Sequence, residues 1–158
     1  MKRHASNDPH ELKLDLPAAH SAQRMARAVL RQFAKRERIP EKEIVTIEFI
    51  ASELLSNAVD HGGGGRAMEE SDLESDVRMT LVLNVRENGW TMRVSDQGGG
   101  DPDELVARLA ERGTPDLEDE RGRGLFLLRQ MLDSLEVVRT SDGRGLEFIA
   151  VHSYVAPR

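Results

Sequence analysis

The stretch from Ile44 to His61 reads as one helix with a broad apolar face, and it limits the fold more than any other part of the chain. At roughly 100° per residue, Ile44, Ile47, Ile50, Ala51, Leu54, Leu55, Ala58 and Val59 fall in a single arc covering about half the helix circumference. Such a face has to be buried against a sheet or further helices. Glu53, Asn57 and His61 are spaced four apart along one edge of the arc, where core gives way to solvent or a cleft. On an isolated helix the plainer reading is two rim residues and a helix-end cap. Only other motifs in the chain can favour a functional reading.

With 158 residues, 39% apolar and 32% charged, the sequence predicts one globular domain over 1–158 with a short polar tail at about 1–10. No apolar run approaches the ~20 residues that span a membrane, and Met1 to His10 lacks the apolar core of a signal peptide. A cytoplasmic location with no membrane contact is therefore expected. The absence of cysteine excludes disulfides, thiolate zinc sites and thiol catalysis. A net charge of −6 without a basic run argues against direct nucleic-acid binding. A basic protein partner or a metal-neutralised nucleotide suits it better.

Glu11 to Leu16 alternates, with Leu12, Leu14 and Leu16 on one side, and predicts an edge strand ended by Pro17. Apolar residues at spacings of three and four predict a helix from about Ala18 to Arg36. Pro40, Glu41 and Glu43 then begin the organising helix. It runs into Gly62 to Gly65 and a polar, acidic connection over Arg66 to Asp76, which reads as a linker because no Gly-Lys-Ser/Thr follows the glycines. Val77 to Val85 and Trp90 to Ser95 alternate around Glu87-Asn88-Gly89 and predict a hairpin. That hairpin delivers Asp96 to Gly98-Gly99-Gly100, where the backbone carries no side chain to obstruct a ligand. Asp101, Pro102 and Glu104 begin a short helix to about Glu111, and the polar stretch Arg112 to Arg121 is a candidate lid. Gly122-Arg123-Gly124 opens a last apolar helix, a place where an anion fits. Val137 to Thr140, a turn at Ser141-Asp142-Gly143, and Leu146 to His152 predict a closing hairpin.

Three motifs thus occur in order: Glu53 and Asn57 on a helix, Asp-x-Gly-x-Gly at Asp96 to Gly100, and Gly-x-Gly at Gly122 to Gly124. In this the chain resembles the GHKL ATPases with the Bergerat nucleotide-binding fold, over roughly Leu12 to Val151. Ser-Glu-Leu-Leu-Ser-Asn-Ala-Val-Asp-His, Ser52 to His61, is similar to the anti-sigma-factor serine kinases of bacterial partner-switching systems. Sensor histidine kinases carry a phosphoacceptor helix pair ahead of this domain, and none is expected here; His4, His10 and His20 read as surface residues. The resemblance implies an α+β sandwich: a mixed, mostly antiparallel sheet covered on one face by about three helices, with an ATP lid.

It also implies roles. Glu53 would be the general base for an attacking serine hydroxyl, and Asn57 would give a neutral oxygen to Mg²⁺ on the phosphates of ATP. Asp96 would accept a hydrogen bond from the adenine amino group, selecting against guanine, which presents an oxygen there. Gly98 and Gly100 would let backbone approach the purine and hinge the lid, and amides around Gly122, Gly124 and Leu125 would hold phosphates. Arg121 or Arg123 would neutralise the γ-phosphate, or stay solvated; His61 would contact phosphate, or remain a rim residue. One departure stands out: many relatives read Gly-Thr before the last strand, where here Leu146 follows Gly145 and no side-chain contact is implied. The placement of the lid arginines differs from the usual pattern as well.

The expected activity is an ATP-dependent protein-serine kinase acting as an anti-sigma factor. It would phosphorylate a small anti-anti-sigma antagonist of the STAS type, sequester a sigma factor, and form a homodimer. The alternative is a non-catalytic ATP-binding module whose nucleotide state controls partner choice. Glu53 separates the two, because a binding module needs no carboxylate base. A purely structural domain would leave Glu53, Asn57 and Asp96 unexplained.

Overall fold

The computed structural model describes residues 10–62, 78–97, 120–143 and 145–155. In these the chain runs β1 (Glu11–Pro17), α1 (Ala22–Arg36), α2 (Glu41–Gly62), β2 (Arg78–Arg86), β3 (Gly89–Asp96), α3 (Glu120–Met131), β4 (Ser134–Arg139) and β5 (Leu146–Ser153). The strands form one sheet in the order β1-β2-β3-β5-β4, and each neighbouring pair is antiparallel. The expected α+β sandwich is therefore present, with antiparallel the only orientation among the described strands.

Strand alternation decides which face is covered. Met79, Leu81, Leu83 and Val85 of β2, Trp90, Met92 and Val94 of β3, and Leu146, Phe148 and Ala150 of β5 are all buried on one side. The opposite face carries the intermediate and exposed residues between them, Thr80, Asn84 and Arg93 among these. The eight apolar residues of the α2 arc, Ile44 through Val59, are buried without exception and lie on the covered face, mainly over β3. Burial of each large aliphatic side chain contributes about 1.5–3 kcal/mol, so this one helix anchors the layer.

α1 packs along α2 through Ala26, Leu30, Phe33 and Ala34. Arg38 sits at φ 60°, and the Ile39 amide returns to the Ala34 carbonyl at 3.0 Å. This is a left-handed helix stop with an apolar residue closing it, Ile39 being 5% exposed. The Pro40 carbonyl then accepts from the amides of Glu43 and Ile44 and starts α2.

Several boundaries differ from expectation. α1 begins at Ala22 and not at Ala18, because a turn closed by Ala19 N–H on the Pro17 carbonyl buries Ala18 and Ala19 ahead of the helix. β4 begins at Ser134 and not at Val137: Leu135 faces inward two residues before Val137 and pairs with Ala150. α3 begins at Glu120 and not at Gly122, an acid at the first turn being favourable to the helix dipole. The expected linker over Arg66 to Asp76, the short helix at Asp101 to Glu111 and the stretch from Arg112 to Asp119 lie outside the described residues.

Candidate functional site

α2 positions two of the expected residues directly. Asn57 is 5% exposed, and its Nδ2 donates to the Glu53 carbonyl at 2.7 Å. A carbonyl can only accept, so the amide nitrogen must face it, and the Asn57 Oδ1 is turned to the other side as an acceptor. The Glu53 carboxylate, one turn back, is half-buried and has no hydrogen-bond or ion-pair partner among the described residues. Burial alone raises its pKa above the ordinary glutamate value. A carboxylate kept partly out of water and not engaged by the described residues is suited to accept a proton.

Asp96 ends β3 on the helix-covered face and is 5% exposed. Its Oδ1 accepts from the Leu146 amide at 3.1 Å. Because α2 packs chiefly over β3, Asp96 and the buried Asn57 face the same helix–sheet layer. α3 lies beside α2 and is anchored by the buried Leu128. In a helix starting at Glu120, the first four amides have no intrahelical acceptor, and those of Gly122 and Arg123 are among them. Arg121, Gly124 and Leu125 also belong to α3, and His61 to the last turn of α2; Gly98 and Gly100 lie outside the described residues.

Two features were not visible in the sequence. Leu146 serves Asp96 through its backbone, and the only available signal was a glycine directly before an apolar strand. Glu43, read as a dipole-favourable first-turn acid, is in fact 8% exposed. Its Oε2 accepts from Trp90 Nε1 at 3.4 Å and pairs with His152 Nδ1 at 3.0 Å. The Trp90 and His152 rings are 5.5 Å apart between centroids. Tyr154 has its pKa raised by burial and, second, by the charge of Glu43.

The family model for the histidine kinase-like ATPase domain matches residues 16–150 of the chain. No curated protein matches the chain by sequence. Among solved structures, a chain in the crystal structure of the SiaB–SiaC complex from Pseudomonas aeruginosa has a similar fold. It aligns with a TM-score of 0.65 at 17% identity over 89% of each chain.

Proposed function

Because the chain belongs to the histidine kinase-like ATPase domain family, we propose that its ATP site serves phosphotransfer to a protein serine, in an anti-sigma factor of a partner-switching system. The observation that carries this reading is the half-buried Glu53 carboxylate, without a partner among the described residues, one turn from Asn57, whose nitrogen is tied to the backbone.

In this reading the serine hydroxyl of the partner protein hydrogen-bonds to Glu53. Glu53 takes its proton as the serine oxygen bonds to the γ-phosphorus and the bond to the ADP oxygen breaks. Asn57 Oδ1 would hold Mg²⁺, a fit supported by the donor set, since a neutral amide oxygen suits a hard cation. The ion would shield phosphate charge. Asp96 receives the adenine amino group, Gly98 and Gly100 admit the purine, and the first amides of α3 with Gly122 and Gly124 hold phosphates. Arg121 or Arg123 is the side chain assigned to the γ-phosphate, and His61 a further phosphate contact.

The partners are a sigma factor and an STAS-type antagonist bearing the target serine. That a similar chain is found in a two-protein complex supports a protein partner here. A homodimer belongs to the same proposal and rests on the family resemblance, while the cytoplasmic location rests on the polar N-terminal stretch and the absence of a long apolar run in the sequence. The test is labelled ATP mixed with the purified chain and antagonists encoded beside its gene. Transfer of label to an antagonist serine is expected; nucleotide-dependent partner binding without transfer would replace the kinase with a non-catalytic binding module.

A further inference from the structure

The surroundings of Asp96 are built by the turn between β4 and β5. A Cβ at Gly145 would lie 1.9 Å from the Asp96 carbonyl oxygen and 2.8 Å from its Oδ1, so only glycine fits against this strand end. From that seat the next amide, Leu146 N–H, reaches Asp96 Oδ1 in a buried hydrogen bond. Gly145 is held on both of its backbone groups by one residue. The Thr140 amide donates to the Gly145 carbonyl at 2.9 Å, and the Gly145 amide donates to Thr140 Oγ1 at 3.0 Å. The Thr140 hydroxyl donates to Asp142 Oδ1 at 2.5 Å, much shorter than its 3.3 Å approach to the Gly145 carbonyl, and its oxygen accepts from the Gly145 amide. Gly143, at φ 74°, turns the chain between them.

We propose that Thr140 is a positioning residue for base recognition. By clamping Gly145 it holds the Leu146 N–H on Asp96 Oδ1 and so fixes which carboxylate oxygen is presented to the purine. The proposal rests on Asp96 being the adenine acceptor. The backbone amide here does the orienting for which the side chain of Leu146 has no polar group. Hydrogen-bond polarity gives this a consequence at Asp96 itself. The Leu146 N–H can only donate, so in Asp96→Asn the side-chain oxygen must stay on it, and the new NH₂ takes the place of the second carboxylate oxygen. A donor at that place rejects the 6-amino group of adenine and fits a 6-oxo purine.

The experiment is calorimetric titration of the full chain with ATP and ITP, both with Mg²⁺, on the wild type, Thr140→Val, Thr140→Ser and Asp96→Asn. Exchange of the Leu146 amide is followed in parallel without nucleotide. The wild type is expected to prefer ATP. Thr140→Val should lower the ATP-to-ITP ratio by about tenfold, the scale of one oriented hydrogen bond, and speed Leu146 exchange, with Thr140→Ser restoring both. Asp96→Asn should invert the ratio in favour of ITP. If Thr140→Val melts early, the Asp96→Asn arm still decides. An unchanged ratio and unchanged Leu146 exchange in folded Thr140→Val, or loss of both nucleotides without inversion in Asp96→Asn, overturns the clamp while leaving the ATP reading standing. A wild type that binds neither nucleotide overturns the ATP reading and the proposal with it.

Discussion

Two acids on α2, Glu43 and Glu53, are ten positions apart, or about 15 Å along the axis, and the chain treats them in opposite ways. Glu43 is almost fully buried and is engaged by both Trp90 Nε1 and His152 Nδ1. Glu53 is less buried, engages nothing among the described residues, and has its pKa raised by desolvation. A buried carboxylate with partners joins the helix to β3 and β5, and its bonds leave little capacity for chemistry. A half-buried carboxylate without partners is a cost to the fold that a reaction can use. On the proposed function, the difference separates a structural end of the helix from a chemical one.

The largest expected effect breaks the chemical end alone. Glu53→Gln should keep ATP binding but lower phosphotransfer by ~10²-fold or more, the usual scale for a positioned base; rapid-quench assays with labelled ATP measure it. Full activity in that variant would reduce Glu53 to a rim residue. At the other end, Glu43→Ala leaves the Trp90 and His152 donors without an acceptor in a buried site. It should cost about 1–3 kcal/mol in urea unfolding and leave the relative affinity for ATP over ITP unchanged. A loss of nucleotide preference there would mean that the two ends are not separate.

Much of this division was legible in the sequence, and the reasons are physical. The α2 arc and the alternation of β2 and β3 are periodic signals, and every apolar residue in the arc is buried as its spacing required. Glu53 and Asn57 were legible because i, i+4 spacing puts them on one edge whatever the tertiary contacts. What could not be read was any pairing between distant residues. Glu43 meets His152 across 109 positions of sequence, and Leu146 meets Asp96 across 50. A first-turn acid and an apolar strand residue carry no local sign of such partners. The start of α1 differs for a related reason, since the turn bond from Ala19 to Pro17 overrides the apolar pattern ahead of the helix.

Smaller effects sharpen the comparison. Since burial raises the Glu53 pKa, its charged form is disfavoured in the fold. The acidic limb of kcat/KM for phosphotransfer should therefore lie above the ordinary glutamate range. The sign for stability is the reverse: a folded pKa above the unfolded one means that stability from this group is present below the unfolded value and falls as pH rises through the folded value. Glu53→Gln should accordingly be at least as stable as the wild type at neutral pH, a result that thermal melts across pH would show. Asn57→Ala should weaken only the Mg²⁺-dependent part of ATP binding, read as the difference between titrations with Mg²⁺ and with EDTA. An equal loss in both would move Asn57 from cation ligand to packing.

The central claim is that the Asp96 end of β3, beside α2, belongs to an adenine-selective ATP site, and calorimetric titration of the wild type with ATP and GTP in the presence of Mg²⁺ tests it most directly. ATP should bind with a clear preference over GTP that is lost in Asp96→Asn. Equal affinity for the two nucleotides, or ATP binding unchanged in Asp96→Asn, would contradict it.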